Sequence, residues 1–415
     1  MRLRSSFRLA LISLLLLLLV ALLPDGPSQA RAASPPEIIA VGDIHGDFDD
    51  FVALLQHCAL IDAQDHWTGG QATLVQTGDI LDRGPKPRDT LDLLMSLQKQ
   101  AAKKGGRVVV LLGNHEMMNI MGDLRYVTPE NYASFAGKNA EKLEESAYHD
   151  YVRWRHDHAA LLVKLPQAFP ETTQAEWMAR HPAGFIEQRE AFSPEGKYGK
   201  WLRERPAVAE VEHVVFLHGG IDPSLSSMKL EEMDRRVHEE IGAFDRAKEY
   251  LVAQHLILPF FTLAEVTAVV QAEVAVRESA PESRHPSAIS PDGQMPEHTQ
   301  LELMRNFLDY GGWLSVASNG PLWFRGYAQW TDAQVAANLP RVLAAYGASA
   351  IVVGHTPQAD GRISSRLGGK LFLIDTGMLS AYFHGRASAL QIRDEVNFTA
   401  EYMDQNLVLS GPARP

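Results

Sequence analysis

The chain of 415 residues contains a single cysteine, Cys58. One thiol cannot form an intrachain disulfide, so the fold must be large enough to be stable without such a cross-link. Cys58 lies in an apolar stretch with helical spacing, where a buried structural thiol is expected. Position 64 is a glutamine, whereas cysteine-dependent phosphatases carry an arginine at this spacing from the nucleophile. The sequence therefore excludes phosphate chemistry based on a cysteine.

Basic charge is also scarce, with 39 Lys and Arg against 51 Asp and Glu and a net charge of −12. An acidic surface repels polyanions, so nucleic-acid binding is not expected. Phosphate chemistry stays open, because a bound metal ion brings its own local positive charge. The hydrophobic share of 46% is typical of a globular protein. The length suits one large domain with insertions or two ordinary domains.

The N-terminus carries a long apolar run, Leu9 to Leu23, which follows three arginines. Small residues come after it, and Ala30-Arg31-Ala32 matches an A-x-A cleavage site. The run has 15 residues, which is short for a hydrocarbon core of ~30 Å. This favours a cleaved signal peptide at 1–32 over an uncleaved anchor. We therefore expect an exported protein, periplasmic or secreted, without a stable membrane anchor.

Short β-prone runs alternate with helical spacing along the chain. The predicted strands are 37–41, 72–76, 107–112, 213–217, 349–353 and 371–374. Buried strands separated by helices favour a layered α/β core. Residues 129–207 and 224–312 have mostly helical texture. We therefore predict a single catalytic domain at 36–400, interrupted by two helical insertions there and followed by a C-terminal tail at 401–415.

Polar residues directly follow these predicted strands. The candidate metal ligands are Asp43, His45, Asp79, Asn114, His218 and His355. In open α/β sheets ligands bind at the carboxyl ends of strands, so these side chains can converge. Nitrogen and oxygen donors without a thiolate favour Mn²⁺, Fe or Zn²⁺. Two such ions could share Asp79 and hold a hydroxide between them, an arrangement suited to in-line phosphoryl transfer.

Taken alone, a Gly-Asp or Gly-His pair after a strand is more often a turn than a site. As an ordered set, however, the clusters resemble the signature of the phosphoprotein phosphatase (PPP) family of metallophosphoesterases. The matching motifs are Gly42-Asp-Ile-His-Gly46, Gly78-Asp-Ile-Leu-Asp-Arg-Gly84, Gly113-Asn-His-Glu116, His218-Gly-Gly220 and Gly354-His355. The resemblance implies an α/β fold with a four-layer metallophosphoesterase-type β-sandwich core flanked by helices.

Further segments are similar to the branch called Shewanella-like protein phosphatases. They are Gly320-Pro-Leu-Trp-Phe-Arg325, Gly354-His-Thr-Pro357 and Asp375-Thr-Gly-Met378. The Ser-Ala-Pro-Asn-Tyr segment of eukaryotic Ser/Thr phosphatases is missing from the sequence. The chain is therefore closer in pattern to the bacterial-type branch than to the eukaryotic enzymes.

The resemblance also implies a role for each matched ligand. Asp43 and His45 would bind the first metal ion, and Asp79 would bridge to the second. The second ion would be completed by the other three ligands, Asn114, His218 and His355. Mn²⁺ is the first choice for both ions, with Fe or Zn²⁺ as alternatives.

The remaining matched residues would act on the substrate. His115 would be the general acid, held by Asp82, because a neighbouring carboxylate favours the imidazolium form that can donate a proton. Arg83 and Arg325 would bind the phosphate oxygens, since a guanidinium group matches them bidentately. For Arg325 the alternative is a surface salt bridge. Glu116 follows the motif without a metal role.

Three classes of function are compatible with these motifs. The first is a phosphatase of phosphoproteins or phosphopeptides, acting on phosphotyrosine and/or phosphoserine and phosphothreonine by attack of a metal-bridging hydroxide. The second is a small-molecule enzyme, such as a dinucleoside polyphosphate hydrolase or a nucleotidase, because one metal core serves several substrates. The third is a non-catalytic binding protein, which the intact ligands, acid and arginines disfavour. No obligate partner is evident.

Overall fold

The computed structural model describes residues 37–279 and 296–410, so the predicted signal peptide at 1–32 lies outside the described chain. The strands are β1 (Ile38–Val41), β2 (Thr73–Gln76), β3 (Arg107–Val110), β4 (Val208–Val211), β5 (Val214–Leu217), β6 (Ala350–Val353), β7 (Ser364–Arg366), β8 (Leu371–Leu373), β9 (Ser388–Arg393), β10 (Asn397–Tyr402) and β11 (Asn406–Ser410). The helices are α1 (Phe48–His57), α2 (Pro87–Lys103), α3 (Asn114–Met121), α4 (Pro129–Phe135), α5 (Ala140–Asp157), α6 (Ala159–Leu162), α7 (Gln174–Arg180), α8 (Phe185–Ala191), α9 (Lys197–Leu202), α10 (Leu230–Ala253), α11 (Leu263–Ser279), α12 (Glu297–Leu308), α13 (Gly326–Gln329), α14 (Asp332–Tyr346) and α15 (Ser380–Phe383).

The strands form two sheets. The first sheet has the order β11-β10-β9-β1-β2-β3, with β1, β2 and β3 parallel. The second has the order β4-β5-β6-β8-β7, with β5, β6 and β8 parallel. Every residue of β1, β2, β5 and β6 is buried. Parallel strands buried on both faces have nearly continuous apolar sequences, which is why these strands are recognisable in the sequence.

The two sheets pack face to face, because successive side chains of a strand point to opposite faces. Ile38 and Ala40 of β1 lie in one core cluster with Phe216 of β5 and Phe372 of β8. Ile39, between them, lies in the second cluster, which includes residues of the outer helices. The predicted α/β fold with a β-sandwich core flanked by helices is confirmed.

Helices fill the long connections between the two sheets. Residues 129–207, predicted as the first insertion, hold α4 to α9, and the described part of 224–312 holds α10, α11 and α12. Aromatic side chains pack in pairs within this helical region, Tyr151 against Trp177 and Trp154 against Phe261. Within the described ranges, no helix combines the length and apolar character needed to cross a bilayer.

The C-terminal end differs from the predicted tail at 401–415. Strand β10 continues to Tyr402, and β11 pairs with it antiparallel, so the sheet extends to Ser410. Phe398, Ala400 and Tyr402 alternate along β10 and are all buried, the last two completely. The Tyr402 hydroxyl also accepts a hydrogen bond from the Ile363 N–H at 2.9 Å. The buried apolar side chains therefore anchor β10 in the sheet, whereas the predicted domain boundary at residue 400 divided this strand.

Candidate active site

The predicted site residues come from the ends of strands in both sheets. In the first sheet, Asp43 and His45 follow β1, Asp79 follows β2, and Asn114 begins α3 after β3. In the second sheet, His218 follows β5 directly and His355 follows β6. The structure brings all six predicted ligands together at one edge of the sandwich, as the contacts below show.

Several of these residues have left-handed backbone geometry, which non-glycine residues rarely adopt. The φ angles are 50° at His45, 56° at Asp79, 69° at Asp82, 66° at Arg83 and 71° at His355. Each such conformation costs on the order of 1–3 kcal/mol, and such residues concentrate at functional sites. The loops therefore hold the backbone of these residues in a strained conformation, which the surrounding structure must stabilise.

Two glycines let the carboxylates approach the neighbouring loops. A Cβ atom on Gly354 would lie 2.3 Å from Asp43 Oδ1, and one on Gly113 would lie 2.3 Å from Asp79 Oδ1. Real Cβ atoms do not come so close to an oxygen. The Gly-His and Gly-Asn pairs of the motifs are thus explained by close packing against the two carboxylates.

Four polar atoms converge around His218. Its Nε2 atom lies 2.9 Å from Asn114 Oδ1, 3.0 Å from His355 Nδ1 and 3.3 Å from Asp79 Oδ1. The other ring nitrogens contact backbone carbonyls, His218 Nδ1 with Thr77 at 2.9 Å and His355 Nε2 with Trp323 at 3.2 Å. Each carbonyl can accept a ring N–H and so orients the imidazole. Four polar atoms therefore face one another, and a cation bound there would have all of them as ligands.

A second group of donors surrounds His45. Its Nδ1 atom donates to the Leu81 carbonyl at 2.8 Å, so Nε2 faces the site, where it accepts from Arg83 Nη1 at 2.6 Å. Nε2 lies 3.6 Å from Asp79 Oδ2 and 3.9 Å from Asp43 Oδ2. Asp79 thus presents Oδ1 to the His218 group and Oδ2 to the His45 group. This geometry fits the bridging position predicted for Asp79.

Burial and neighbouring charges shift the pKa values of these ligands in different directions, and burial together with Asp375 and Asp79 raises the pKa of Asp43 well above its usual value. Burial, together with His115, lowers the pKa of His45 well below its usual value, and burial together with His218 does the same for His355. Both imidazoles are therefore neutral. Burial acts to raise the pKa of Asp79, but the imidazoles of His218 and His115 outweigh it and hold that pKa well below the usual range. The lowered pKa favours the charged form of the Asp79 carboxylate.

His115 lies beside the metal-ligand groups and is tied to Asp82. The His115 Nδ1 atom is 2.5 Å from Asp82 Oδ2, and its Nε2 atom is 3.7 Å from Asp79 Oδ2. By distance alone, the ligand atoms of His115, His45 and Asp79 lie close enough together to hold one metal ion. Burial lowers the pKa of His115, but Asp79 and Asp82 outweigh it and raise that pKa above the usual value. A protonated imidazole is a proton donor and not a metal ligand.

The two predicted arginines border the ligands. Arg83 Nη1 lies 2.6 Å from His45 Nε2, and its guanidinium group lies over the rings of Tyr126, Tyr382 and Phe383 at 4.9–5.2 Å. The Arg83 Nε atom is buried without a hydrogen-bond partner among the described residues.

Arg325 lies on the other side of the site, next to His355. Its Nη1 atom donates to the His355 carbonyl at 3.0 Å and to Thr356 Oγ1 at 3.1 Å. The side chain is half-buried. None of the salt bridges in the described chain involves this residue, so the alternative of a surface salt bridge is not what the structure contains.

Glu116 has a structural role that the sequence alone did not suggest. Its carboxylate accepts hydrogen bonds from four backbone N–H groups, those of Asp79, Ile80, Leu81 and Gly113, at 2.7–3.2 Å. It therefore holds the loop that carries the bridging aspartate. Only its position beside His115 in an otherwise apolar stretch indicates that it is buried.

Asp375 also belongs to the site and was not predicted as a site residue. It lies two residues after the end of β8, is 1% exposed and interacts with the Asp43 carboxylate. Its Oδ1 atom accepts from the Gly377 N–H at 3.0 Å, whereas Oδ2 has no partner in the described chain. Burial raises the pKa of Asp375 to about 6. The signal that could have found it is the one that found the ligands, a carboxylate at a strand end.

Comparisons with known proteins agree with this geometry. A family model described as calcineurin-like phosphoesterase matches residues 36–259. The chain is 29% identical over 370 residues to the protein C1840.07c of Schizosaccharomyces pombe, with 87% of this chain and 79% of the other covered. It is 25% identical over 344 residues to Shewanella-like protein phosphatase 1 of Plasmodium berghei, covering 82% and 67%. The crystal structure of a cold-active protein-tyrosine phosphatase from a psychrophilic Shewanella species has a similar fold, with a TM-score of 0.56, 22% identity and coverage of 90% and 80%.

Proposed function

Because the chain belongs to the calcineurin-like phosphoesterase family, we propose that it removes phosphate from phosphoproteins. Membership in the family makes it a metal-dependent phosphoesterase, and its relatives include a Shewanella-like protein phosphatase, as the motifs predicted. The step from phosphoesterase to protein phosphatase is our proposal. It includes phosphotyrosine and/or phosphoserine and phosphothreonine as substrates.

The proposal rests mainly on the four polar atoms that converge around His218, beside a His115 imidazole that contacts the Asp82 carboxylate. Two divalent ions, when bound, would supply Lewis acidity and an activated water at the phosphorus atom. Asp43, His45 and Asp79 would hold the first ion. Asp79 would also hold the second ion, together with Asn114, His218 and His355. Oxygen and nitrogen donors without thiolate favour Mn²⁺, with Fe and Zn²⁺ as alternatives.

The substrate would then be held and protonated by the chain's own side chains. Arg83 and Arg325, on opposite sides of the ligands, would bind the non-bridging oxygens of the phosphate. His115 would donate the proton on Nε2 to the leaving oxygen, while Asp82 holds Nδ1 and keeps the ring oriented. The positive charge of the arginines would also favour the dianionic substrate inside an otherwise acidic protein.

Two exposed aromatic side chains at the edge of the site favour a protein substrate. Tyr126 is 38% exposed and Tyr382 is 55% exposed, and both rings lie against the Arg83 guanidinium group. Exposed aromatic rings provide a flat surface on which a phosphotyrosine ring or a peptide segment can pack. We also propose that the protein is exported, because residues 1–32 have the pattern of a signal peptide.

A substrate panel tests the proposed function. Purified protein with added Mn²⁺ is assayed on phosphotyrosine peptides, phosphoserine peptides, a dinucleoside polyphosphate and nucleoside monophosphates, without any added partner protein. We expect the highest kcat/KM on a phosphopeptide. A preference for the nucleotides would replace this proposal with a small-molecule phosphoesterase. An absence of turnover on all substrates by the metal-loaded protein would indicate a binding protein instead.

A further inference from the structure

The His115–Asp82 pair is the end of a longer chain of buried hydrogen bonds. Asp82 Oδ2 contacts His115 Nδ1 at 2.5 Å, and Asp82 Oδ1 accepts from Asn119 Nδ2 at 2.8 Å. The Asn119 Oδ1 atom in turn accepts from Gln188 Nε2 at 2.8 Å. All four residues are at most 2% exposed. The chain therefore joins α8, in the first helical insertion, to the proposed acid through side chains alone.

The orientation of the Asn119 amide is determined at both ends. Asn119 lies four residues after His115 in α3, so both side chains lie on the same side of the helix. The Asn119 NH₂ group donates to Asp82 and also to the His115 carbonyl, at 2.9 Å. Its oxygen receives the Gln188 amide. The flipped amide would place its oxygen against the Asp82 carboxylate and its NH₂ group against that of Gln188, so the observed orientation is strongly favoured.

We propose that Asn119 is a positioning residue for the general acid and that Gln188 orients it. Asn119 fixes one oxygen of Asp82, so that the other stays directed at His115 Nδ1 and the imidazole keeps Nε2 directed into the site. The first helical insertion thus supports catalysis directly, in addition to covering the sheet. The inference rests on the role of His115 in the proposed function.

The experiment compares variants over a series of substituted phenyl phosphates whose leaving groups range from weakly to strongly basic. A general acid matters most when the departing oxygen is basic, so loss of its alignment steepens the dependence of kcat on leaving-group basicity. We expect Asn119→Leu to lower kcat on the most basic leaving group by about 10- to 100-fold, the range typical of residues that orient a functional histidine. On p-nitrophenyl phosphate we expect a much smaller loss, with KM and metal content unchanged.

Gln188→Leu is the second variant, and it decides the question if Asn119→Leu does not fold. It leaves the Asn119 side chain and its two donated hydrogen bonds in place and removes only the contact to the amide oxygen. The same selective loss is therefore expected, with a smaller size. Arg189→Met is the matched control. Arg189 lies next to Gln188 in α8 and donates to the Asn119 backbone carbonyl at 2.9 Å, so its loss disturbs the helix contact without reorienting the amide. We expect no selective loss for this variant.

A double variant separates this inference from the proposed function. In a His115→Asn background, Asn119→Leu should cause no further selective loss, because residues that act through one another are not additive. Full additivity would overturn the positioning role, as would an equal loss on all leaving groups in both single variants. If His115→Asn itself shows no selectivity for leaving groups, the assignment of the acid in the proposed function fails first.

Discussion

Each histidine of the site has one ring nitrogen occupied by a partner outside the metal-ligand group. His45 contacts the Leu81 carbonyl, His218 contacts the Thr77 carbonyl and His115 contacts Asp82. The partner selects the tautomer and so decides which nitrogen faces the site. The two carbonyls orient rings that are proposed as metal ligands, whereas the carboxylate raises the pKa of His115, the proposed proton donor, together with Asp79. One residue type therefore fills two chemical roles within a few ångströms.

Replacing the proposed acid tests this division of roles. His115→Asn should lower kcat on a poor leaving group by ~10²–10⁴-fold, the usual contribution of a general acid. On an activated aryl phosphate the loss should be far smaller, because that leaving group departs without a proton. Steady-state kinetics on the two substrates is the measurement. An equal loss on both would assign His115 to structure or to tuning of the metal.

Arg325 can be tested through phosphate binding. Arg325→Ala should raise KM and weaken inhibition by free phosphate or vanadate, because one bidentate donor is lost. Arg325→Lys should restore only part of the affinity, since an ammonium group does not reproduce the planar fork.

Metal content is the control for this experiment, because arginine cannot ligate the ions. Metal analysis of Arg325→Ala should match the wild type. Loss of metal would mean that the hydrogen bond from Arg325 to the His355 carbonyl, at 3.0 Å, mainly supports the ligand loop. Unchanged inhibition by phosphate would remove Arg325 from the substrate site.

Among single residues, the convergence of the candidate metal ligands was predictable from the sequence, and the residues that support them were not. Each ligand follows a buried apolar strand, a signal that is local in the chain. Asn119 and Gln188 lie 69 residues apart and meet only because the insertion folds back onto α3. Nothing near either residue in the sequence indicates that contact.

At the scale of elements, Glu116 links α3 to the loop after β2. Its carboxylate receives four backbone N–H groups, so Glu116→Gln would place an NH₂ group against donors. We expect a loss of about 1–3 kcal/mol in the free energy of unfolding, the usual cost of an unsatisfied buried group. We also expect weaker metal binding, because the loop carries Asp79. Urea unfolding and metal titration are the measurements.

Glu176→Gln provides the matched control for that prediction. Glu176 accepts from the Thr173 N–H at the start of α7 but is exposed, so water can satisfy the new amide. Unfolding and metal affinity should both stay close to the wild type. If the two variants behave alike, the network around Glu116 does not support the loop.

Helices and strands with a clear pattern of apolar residues were predictable from the sequence, whereas the residues at which they end were less predictable. The strands β1 and β5 were recognisable because every position of Ile38–Val41 and Val214–Leu217 is apolar. The end of β10 and the whole of β11 were assigned to a tail, because β11 is mostly exposed and becomes a strand by pairing with β10. An edge strand is defined by pairing across the sheet, which the sequence does not display.

At the scale of the whole molecule, the site exists only where the two sheets meet. The first sheet supplies Asp43, His45, Asp79 and Asn114, and the second supplies His218 and His355. Ligands separated by more than 300 residues are held at hydrogen-bonding distance, as in the 3.0 Å contact from the His355 N–H to Asp43 Oδ1. The sequence predicted this convergence through a general rule for strand ends, whereas the exact contacts depend on how the sheets pack.

The expected export is also a property of the whole chain. If residues 1–32 are a cleaved signal peptide, the mature protein should begin near residue 33, after Ala30-Arg31-Ala32. N-terminal sequencing of protein recovered from outside the cytoplasm is the measurement. Recovery of an intact Met1 or of the apolar run from Leu9 to Leu23 would contradict the prediction.

The number of metal ions bound per chain, measured together with phosphatase activity, tests the proposed two-metal site most directly. Asp79 faces both ligand groups, whereas His355 belongs to one. Wild-type protein loaded with Mn²⁺ should bind two ions per chain, an expectation that follows from the two-metal arrangement. It should lose phosphatase activity on chelation and regain it when Mn²⁺ is added back. His355→Ala should lose mainly one ion, and Asp79→Ala should lose both. Full activity in chelated, metal-free protein would contradict the account, as would an Asp79→Ala variant that keeps two ions.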